Sequence, residues 1–326
     1  MKRVGIPRGL YYHKYSALWE SFFKNLGADV IVSDITNKKI LTNGSNACVS
    51  EACIPIKAYF GHVIELIGKV DYLFMPRFTS VARRQYICPE VCGVTDMVRN
   101  SVKELPKIID TEINLRESRK NSWNAALYTG EFLTGDRKKI SRAYKDAVNE
   151  YKSKRRALKF ADTEFGASPA KDNLKIAIIG HSYTVYDTFL NMELMKKLNK
   201  YGASVVTLDM LDYLVSKDSC KELDKQFFWD YGTRAYGGAI QLIKNGRIDG
   251  ILALTSFGCG VDSFVDELVE DKIRKDSDIP FMKLVLDEHS AEAGFLTRLE
   301  AFIDMIVRRR DNDFYISTSG KHLYNS

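Results

Sequence analysis

Three cysteines stand where a thiol could do chemistry. Cys53 lies in Ser50-Glu51-Ala52-Cys53-Ile54-Pro55-Ile56-Lys57, Cys88 in Tyr86-Ile87-Cys88-Pro89-Glu90, and Cys259 in Thr255-Ser256-Phe257-Gly258-Cys259-Gly260. Each is read as lying in a strand-to-helix loop near a helix N-terminus, with Pro55 in a first helical turn, where a missing N–H costs nothing, and Pro89 just downstream of Cys88. At a helix N-terminus, backbone N–H groups and the dipole favour thiolate, the form that attacks electrophiles and binds metals. Gly258 and Gly260 would let the backbone approach a bulky group closely. Cys92, one helical turn past Cys88, and Cys48, five residues before Cys53, could face the same centre, whereas Cys220 reads as structural. The spacings Cys48-x4-Cys53 and Cys88-x3-Cys92 are neither ferredoxin spacings nor zinc-ribbon pairs. From the residues alone, buried apolar thiols and a shared inorganic centre both stand.

Other segments offer weaker chemistry. In Asp287-Glu288-His289-Ser290, Glu288 and His289 could relay protons or hold substrate, or Ser290 could simply cap a helix with Glu292 near its start. Gly180-His181-Ser182-Tyr183 could bind phosphate through backbone N–H groups or be an ordinary turn. Gly258-Cys259-Gly260 partly mimics a dinucleotide loop but lacks the third glycine. A Cys53–His62 dyad is conceivable. Tyr11-Tyr12-His13-Lys14-Tyr15 reads as the cap of a core, and no phosphate loop of the Gly-x4-Gly-Lys type occurs.

The elements that must position these residues alternate in the manner of βαβ units. Strands are expected at Arg3–Ile6, Asp29–Val32, Tyr72–Met75 and Lys107–Asp110, with helices at Tyr15–Leu26, Ile54–Ile67 and Thr95–Glu104. A polar stretch, Glu112 to about Lys159, reads as a helical connector, and Phe160–Asn173 as a linker. The pattern then restarts: strands at Lys175–Ile179, Ser204–Leu208, Gly250–Leu254 and Pro280–Leu286, and helices to Leu198, through Phe227–Lys244, from Asp262 and over Gly294–Arg309. The expected fold is α/β, two Rossmann-like doubly wound domains with parallel sheets, spanning residues 1–111 and 174–326, with 112–173 between them. Ligands in such sheets sit beyond the carboxyl ends of strands, which places a site in the interdomain cleft.

Composition bounds the rest. The 326 residues are 45% hydrophobic and 28% charged, with no apolar run approaching a membrane span. A strand begins within a few residues of Met1, so a cytoplasmic protein is expected, with no membrane partner. In that compartment six cysteines argue against a disulfide framework. The net charge of +6 sits largely in Lys152–Arg156 and Arg308–Arg310, which read as solvated helix surface rather than a nucleic-acid patch, though a basic rim would also welcome an acidic ligand.

Several motifs together resemble the superfamily of 2-hydroxyacyl-CoA dehydratases and double-cubane cluster proteins, in the branch associated with the CoA-enzyme activases. They are Gly5-Ile6-Pro7-Arg8-Gly9-Leu10, Glu51-Ala52-Cys53-Ile54-Pro55-Ile56-Lys57, Gly61-His62, Tyr86-Ile87-Cys88-Pro89, Ser256-Phe257-Gly258-Cys259-Gly260 and Asp287-Glu288-His289-Ser290-Ala291-Glu292-Ala293-Gly294. The resemblance implies a [4Fe–4S] cluster held by Cys53, Cys88 and Cys259, with the fourth iron site open. Some relatives carry a double-cubane [8Fe–9S] cluster instead, for which Cys48, Cys92 and Cys220 would all be needed, so a single cubane is expected, with Cys92 an added candidate. It also implies an ATP-dependent iron–sulfur activator protein as electron donor, and a CoA thioester or other small molecule as substrate; Arg8 and Lys57 are candidates for coenzyme A phosphates or equally for surface or packing roles. Familiar members of the superfamily pass through a ketyl radical and are usually two-subunit enzymes. The function expected is thus a component of a reductase or dehydratase-like lyase, in a homo- or hetero-oligomer. A non-catalytic electron carrier or scaffold, and a metal-free binding module for an acidic small molecule, are the alternatives.

Overall fold

The structure, a computed structural model, describes residues 1–118, 120–165, 174–246, 248–289 and 292–319, with side chains described except in 158–165 and 311–319. The first half runs β1 (Arg3–Ile6), α1 (Tyr12–Asn25), β2 (Asp29–Val32), α2 (Lys38–Ala47), α3 (Ile54–Leu66), β3 (Tyr72–Phe74), β4 (Arg77–Ser80), α4 (Pro89–Ser101) and β5 (Lys107–Ile109). Then come β6 (Glu112–Asn114), α5 (Asn121–Glu131) and α6 (Arg137–Phe165). The second half runs β7 (Leu174–Gly180), α7 (Ser182–Val185), α8 (Leu194–Lys200), β8 (Ala203–Thr207), α9 (Tyr213–Ser219) and a 3₁₀ turn, Cys220–Glu222. It ends with α10 (Asp230–Asn245), β9 (Gly250–Ser256), α11 (Gly260–Asp276), β10 (Phe281–Leu286) and α12 (Glu292–Ser319).

Two four-stranded sheets form, in the orders β2-β1-β3-β5 and β10-β9-β7-β8, and every pairing is parallel. Numbered from its own first strand, each sheet has the order 2-1-3-4, so the halves share a topology that their sequences do not display. The fold is α/β and doubly wound. Central strands read as unbroken apolar runs because both faces are covered: all seven residues of β9 are buried. Among the described residues, no helix is long and apolar enough to cross a membrane.

Several expected elements are corrected. The stretch from Glu112 opens with a strand, β6, which pairs in parallel with β4 (Arg77 opposite Glu112, Phe78 opposite Ile113); three-residue strands are too short to show a period of two. α6 buries Ile140, Ala143 and Ala147 in the core formed by Phe22 and Phe23 of α1, and it continues to Phe165 into the expected linker. Residues 166–173 of that linker lie outside the described residues. Helix α4 begins at Pro89, six residues earlier than expected. The helix expected to reach Leu198 is broken, because the Asp187 carboxylate accepts from the backbone of Phe189 and Leu190 (3.1 and 3.0 Å), a local bond that competes with the helix ladder.

Helix α2 escaped the sequence reading altogether, and glycine explains its packing. A Cβ at Gly44 would lie 1.8 Å from the Lys57 carbonyl oxygen, and one at Gly61 would lie 1.9 Å from that of Ile40. The two helices therefore cross backbone to backbone, which holds the N-terminus of α3, and Cys53 with it, in place.

Candidate functional site

Cys53, Cys88 and Cys259 are the N-cap residues of α3, α4 and α11. Only Cys259 directly follows a strand of a main sheet. Cys53 lies in the turn between α2 and α3, and Cys88 follows β4 of the small sheet, which corrects the expectation of three equivalent strand-to-helix loops. Each cap carbonyl starts its helix: that of Cys53 accepts from Ile56 and Lys57, that of Cys88 from Cys92, and that of Cys259 from Ser263. The Cys259 thiol also accepts from the Asp262 N–H, at 3.4 Å.

Long-range contacts join the three loops. The Tyr86 N–H donates to the Phe228 carbonyl (2.8 Å) and the Asp230 N–H to the Tyr86 carbonyl (3.1 Å), pinning the segment before Cys88 to the start of α10. Gln85, fully buried, donates to the Phe227 carbonyl (3.2 Å) and the Thr233 hydroxyl (2.5 Å) and accepts from the Tyr213 hydroxyl (3.0 Å). Gly258, at φ +80°, turns the chain so that its α-carbon faces the Glu51 carbonyl, which a Cβ would meet at 3.4 Å. A Cβ at Gly260 would meet nothing within 4 Å, so no contact within the chain requires glycine there. Cys88 packs against the core that holds Cys259 and also against the core that holds Cys53.

The thiols act on one another electrostatically. The charge of Cys259 raises the pKa of Cys53, and that of Cys88 raises the pKa of Cys259. Buried Tyr183 feels all three: its phenol is held well above the ordinary value first by burial, then by Cys259, Cys53 and Cys88. All three thiols are pushed up, burial being the largest cause in each. Burial therefore opposes the thiolates that the helix termini favour. A helix dipole contributes about 0.3–1 kcal/mol, whereas one pKa unit is already about 1.4 kcal/mol, so desolvation and mutual repulsion win. A cation beside them would oppose that shift.

Several groups around the thiols were not singled out as a centre by sequence reasoning. The His181 ring stacks between Tyr183 and Tyr231, with centroids 4.7 and 3.8 Å away. Its Nε2 lies 3.0 Å from Asp262 Oδ1, yet the two are not aligned as a hydrogen bond, and both atoms lack a hydrogen-bond partner among the described residues, as does Ser256 Oγ. The ligand atoms of His181, Cys259 and Asp262 lie within 4.8 Å of one another. Asp266, raised to about 6 by burial and then by Asp262, accepts from Thr255 and Tyr231. Glu90 reaches the Cys53 N–H at 3.5 Å, and its charge raises Cys53, Cys48 and Cys88. The one signal in the sequence was Asp262 and Asp266, two carboxylates on the otherwise apolar face of α11.

The remaining candidates fall elsewhere. Cys92 sits against Thr79 (3.9 Å), and its charge acts on Arg77. Cys48 ends α2 within reach of the charges of Lys57, Glu90 and Glu288. Cys220 is buried in the C-terminal core, its thiol 3.7 Å from the Thr233 carbonyl. Glu288 grips buried Lys57 with both oxygens (2.8 and 2.6 Å), so that Lys57 is committed to a carboxylate, while His289 is 85% exposed. Ser290 lies outside the described residues. Arg8 donates from its backbone to Ser33 Oγ (2.8 Å) and from its side chain to the Ser33 carbonyl (3.0 Å). No Cys53–His62 dyad forms: His62 Nδ1 meets Ser33 Oγ (3.0 Å) and Nε2 meets Thr36 Oγ1 (2.9 Å).

A pair of parallel α/β sheets with thiols, a phenol, an imidazole and carboxylates gathered at helix N-termini defines a class: an α/β protein with a buried, cysteine-rich polar centre. Residues 3–211 match the family described as CoA enzyme activase uncharacterised domain (DUF2229), and the chain belongs to that family. The match includes Cys53, Cys88, His181 and Tyr183 and stops short of Cys259 and Asp262. No curated protein matches the chain.

Proposed function

We propose that Cys53, Cys88 and Cys259 hold a [4Fe–4S] cluster and that the chain receives low-potential electrons through it from an ATP-dependent iron–sulfur activator. The observation that carries this reading is geometric: the three cysteines cap three helices, and Cys88 packs against both the core that holds Cys53 and the core that holds Cys259. The donor set fits the group. Three buried thiols, whose ionisation desolvation opposes, would be held as thiolates by iron's positive charge. The unpartnered Ser256 hydroxyl and the misaligned His181–Asp262 pair offer polar atoms beside Cys259 that a bound group would engage. When bound, such a cluster supplies one-electron reducing chemistry. Membership of a CoA-enzyme-activase family supports a CoA thioester as the substrate class and a reduction or radical dehydration as the reaction. Within the site, His181 and Asp262 are the groups placed to hold or move a proton beside Cys259, and Glu90 does the same beside Cys53.

A single cubane suits the residues better than a double one. Cys220 is tied into the C-terminal core, and Cys92 faces Thr79, so six thiols do not converge. A second reading, a mononuclear metal on His181, Cys259 and Asp262, rests on the closeness of their ligand atoms. Anaerobic reconstitution followed by iron, sulfide and zinc quantification separates the two. Iron with matching sulfide supports the cluster, and one zinc with no sulfide supports the alternative.

A further inference from the structure

One cavity of the molecule is lined by none of the six cysteines. It measures about 940 Å³ and lies between α1, the β4–β6 pair and helices α5 and α6. Trp19, Phe74, Phe78, Ile113, Ala126 and Val148 are among the side chains that form its apolar interior. Two alcohols in that interior are already bonded: Ser122 to the Tyr144 hydroxyl (2.7 Å), and Thr129 to Thr111 (2.6 Å) and the Ala125 carbonyl (2.8 Å). Neither is left to orient a polar ligand, so the part of the interior formed by Trp19, Phe74 and Phe78 suits hydrocarbon.

The mouth has the opposite character. Arg83, Lys152, Arg155 and Lys217 line it and make no ion pair among the described residues, against one lining acid, Glu117. Arg234 joins them from within. Its Nε is bonded to Asp230 (2.5 Å) and its guanidinium lies 4.6 Å over the Tyr213 ring, but its terminal nitrogens make no hydrogen bond among the described residues. Charge at the entrance and hydrocarbon inside specify a ligand with an anionic head and an apolar tail, and the volume lies within the range of ordinary small-molecule pockets.

We propose that this cavity binds a single-chain fatty carboxylate, its tail among Trp19, Phe74 and Phe78 and its head at Arg155, Lys152 and Arg234. The site is independent of the cysteine centre, so its test does not depend on a cluster. Calorimetric titration of the full chain with octanoate, nonanoate and decanoate, kept below micelle formation, reads it out. Binding should tighten about fourfold per added methylene, and 1-decanol should bind about tenfold more weakly than decanoate. Ala126→Trp, which fills the interior, should abolish decanoate binding while the circular dichroism spectrum is unchanged. Should that variant not fold, the pair Lys152→Glu and Arg155→Glu, exposed and half-buried respectively, still tests the head, with about a tenfold loss expected. Absence of binding, affinity indifferent to chain length, decanol binding as tightly as decanoate, or wild-type affinity in either variant would overturn the proposal.

Discussion

The α-carbon of Gly258 faces the carbonyl of Glu51, so that residues more than two hundred positions apart bring the Cys259 and Cys53 loops together. The positive φ calls for glycine at 258, and a larger side chain there would press on that carbonyl, while Gly260 opens onto free space. Gly258→Val should therefore lower the iron content of reconstituted protein severalfold, and Gly260→Ala should leave it near wild type. Metal analysis of the two variants checks this, and equal content in both would show that the turn at Gly258 does not set the distance between the thiols.

Gln85 holds the Cys88 loop by three buried hydrogen bonds without belonging to the thiol set. Gln85→Leu leaves the Phe227 carbonyl and the Thr233 and Tyr213 hydroxyls short of partners, at about 1–3 kcal/mol for each buried group left unsatisfied. Urea unfolding should show a loss of about 2–4 kcal/mol in total. A loss below about 0.5 kcal/mol would mean that the loop is anchored elsewhere, chiefly through Tyr86.

Lys57 and Glu288 form a largely buried pair, and breaking such a pair by removing one partner costs about 3–5 kcal/mol. Glu288 retains some exposure, so Glu288→Gln should cost nearer 2–3 kcal/mol. The double variant Lys57→Met/Glu288→Gln should recover part of that loss in the same unfolding experiment. If Glu288 instead serves the reaction alone, the single variant will keep full stability.

His62 lies in a continuous relay. The Arg8 N–H donates to Ser33 Oγ, whose hydroxyl donates to Nδ1, and Nε2–H donates to Thr36 Oγ1, whose hydroxyl donates to Asp187. Burial is the main cause that lowers its pKa from the ordinary 6.5 to about 3. The folded pKa is depressed, so the unfolded chain binds the extra proton and stability falls as pH drops from 6.5 toward 3. The slope from this one group is about 1.4 kcal/mol per pH unit. His62→Gln should remove that slope from a stability–pH profile, whereas an unchanged slope would mean that His62 is charged when folded.

The sequence displayed the parts of the fold that have long periods and the parts of the site that have distinctive chemistry. The eight strands of the two main sheets were legible because each is a compact apolar run, and Cys53, Cys88 and Cys259 because each precedes a helix signal. Helix α2 was hidden by Asn, Gly and Ser in Lys38–Ala47, residues that weaken helix propensity yet are needed here, since Gly44 must meet the Lys57 carbonyl. His181 and Tyr183 stood in a segment weighed only as a turn, and the stacking of His181 on Tyr231 depends on elements about fifty residues apart. The burial that raises the thiols was hidden because local helix geometry is visible in a sequence and burial by distant elements is not.

The most direct test of the central claim is anaerobic reconstitution of the wild type and of Cys53→Ser, Cys88→Ser, Cys259→Ser, Cys92→Ser and Cys220→Ser, followed by iron and sulfide quantification and electron paramagnetic resonance of the reduced protein. The account predicts about four iron and four sulfide per wild-type chain with a reduced-cluster signal, their loss in the first three variants, and their retention in the last two. Iron retained equally in all five variants, or absent from the wild type, would contradict it.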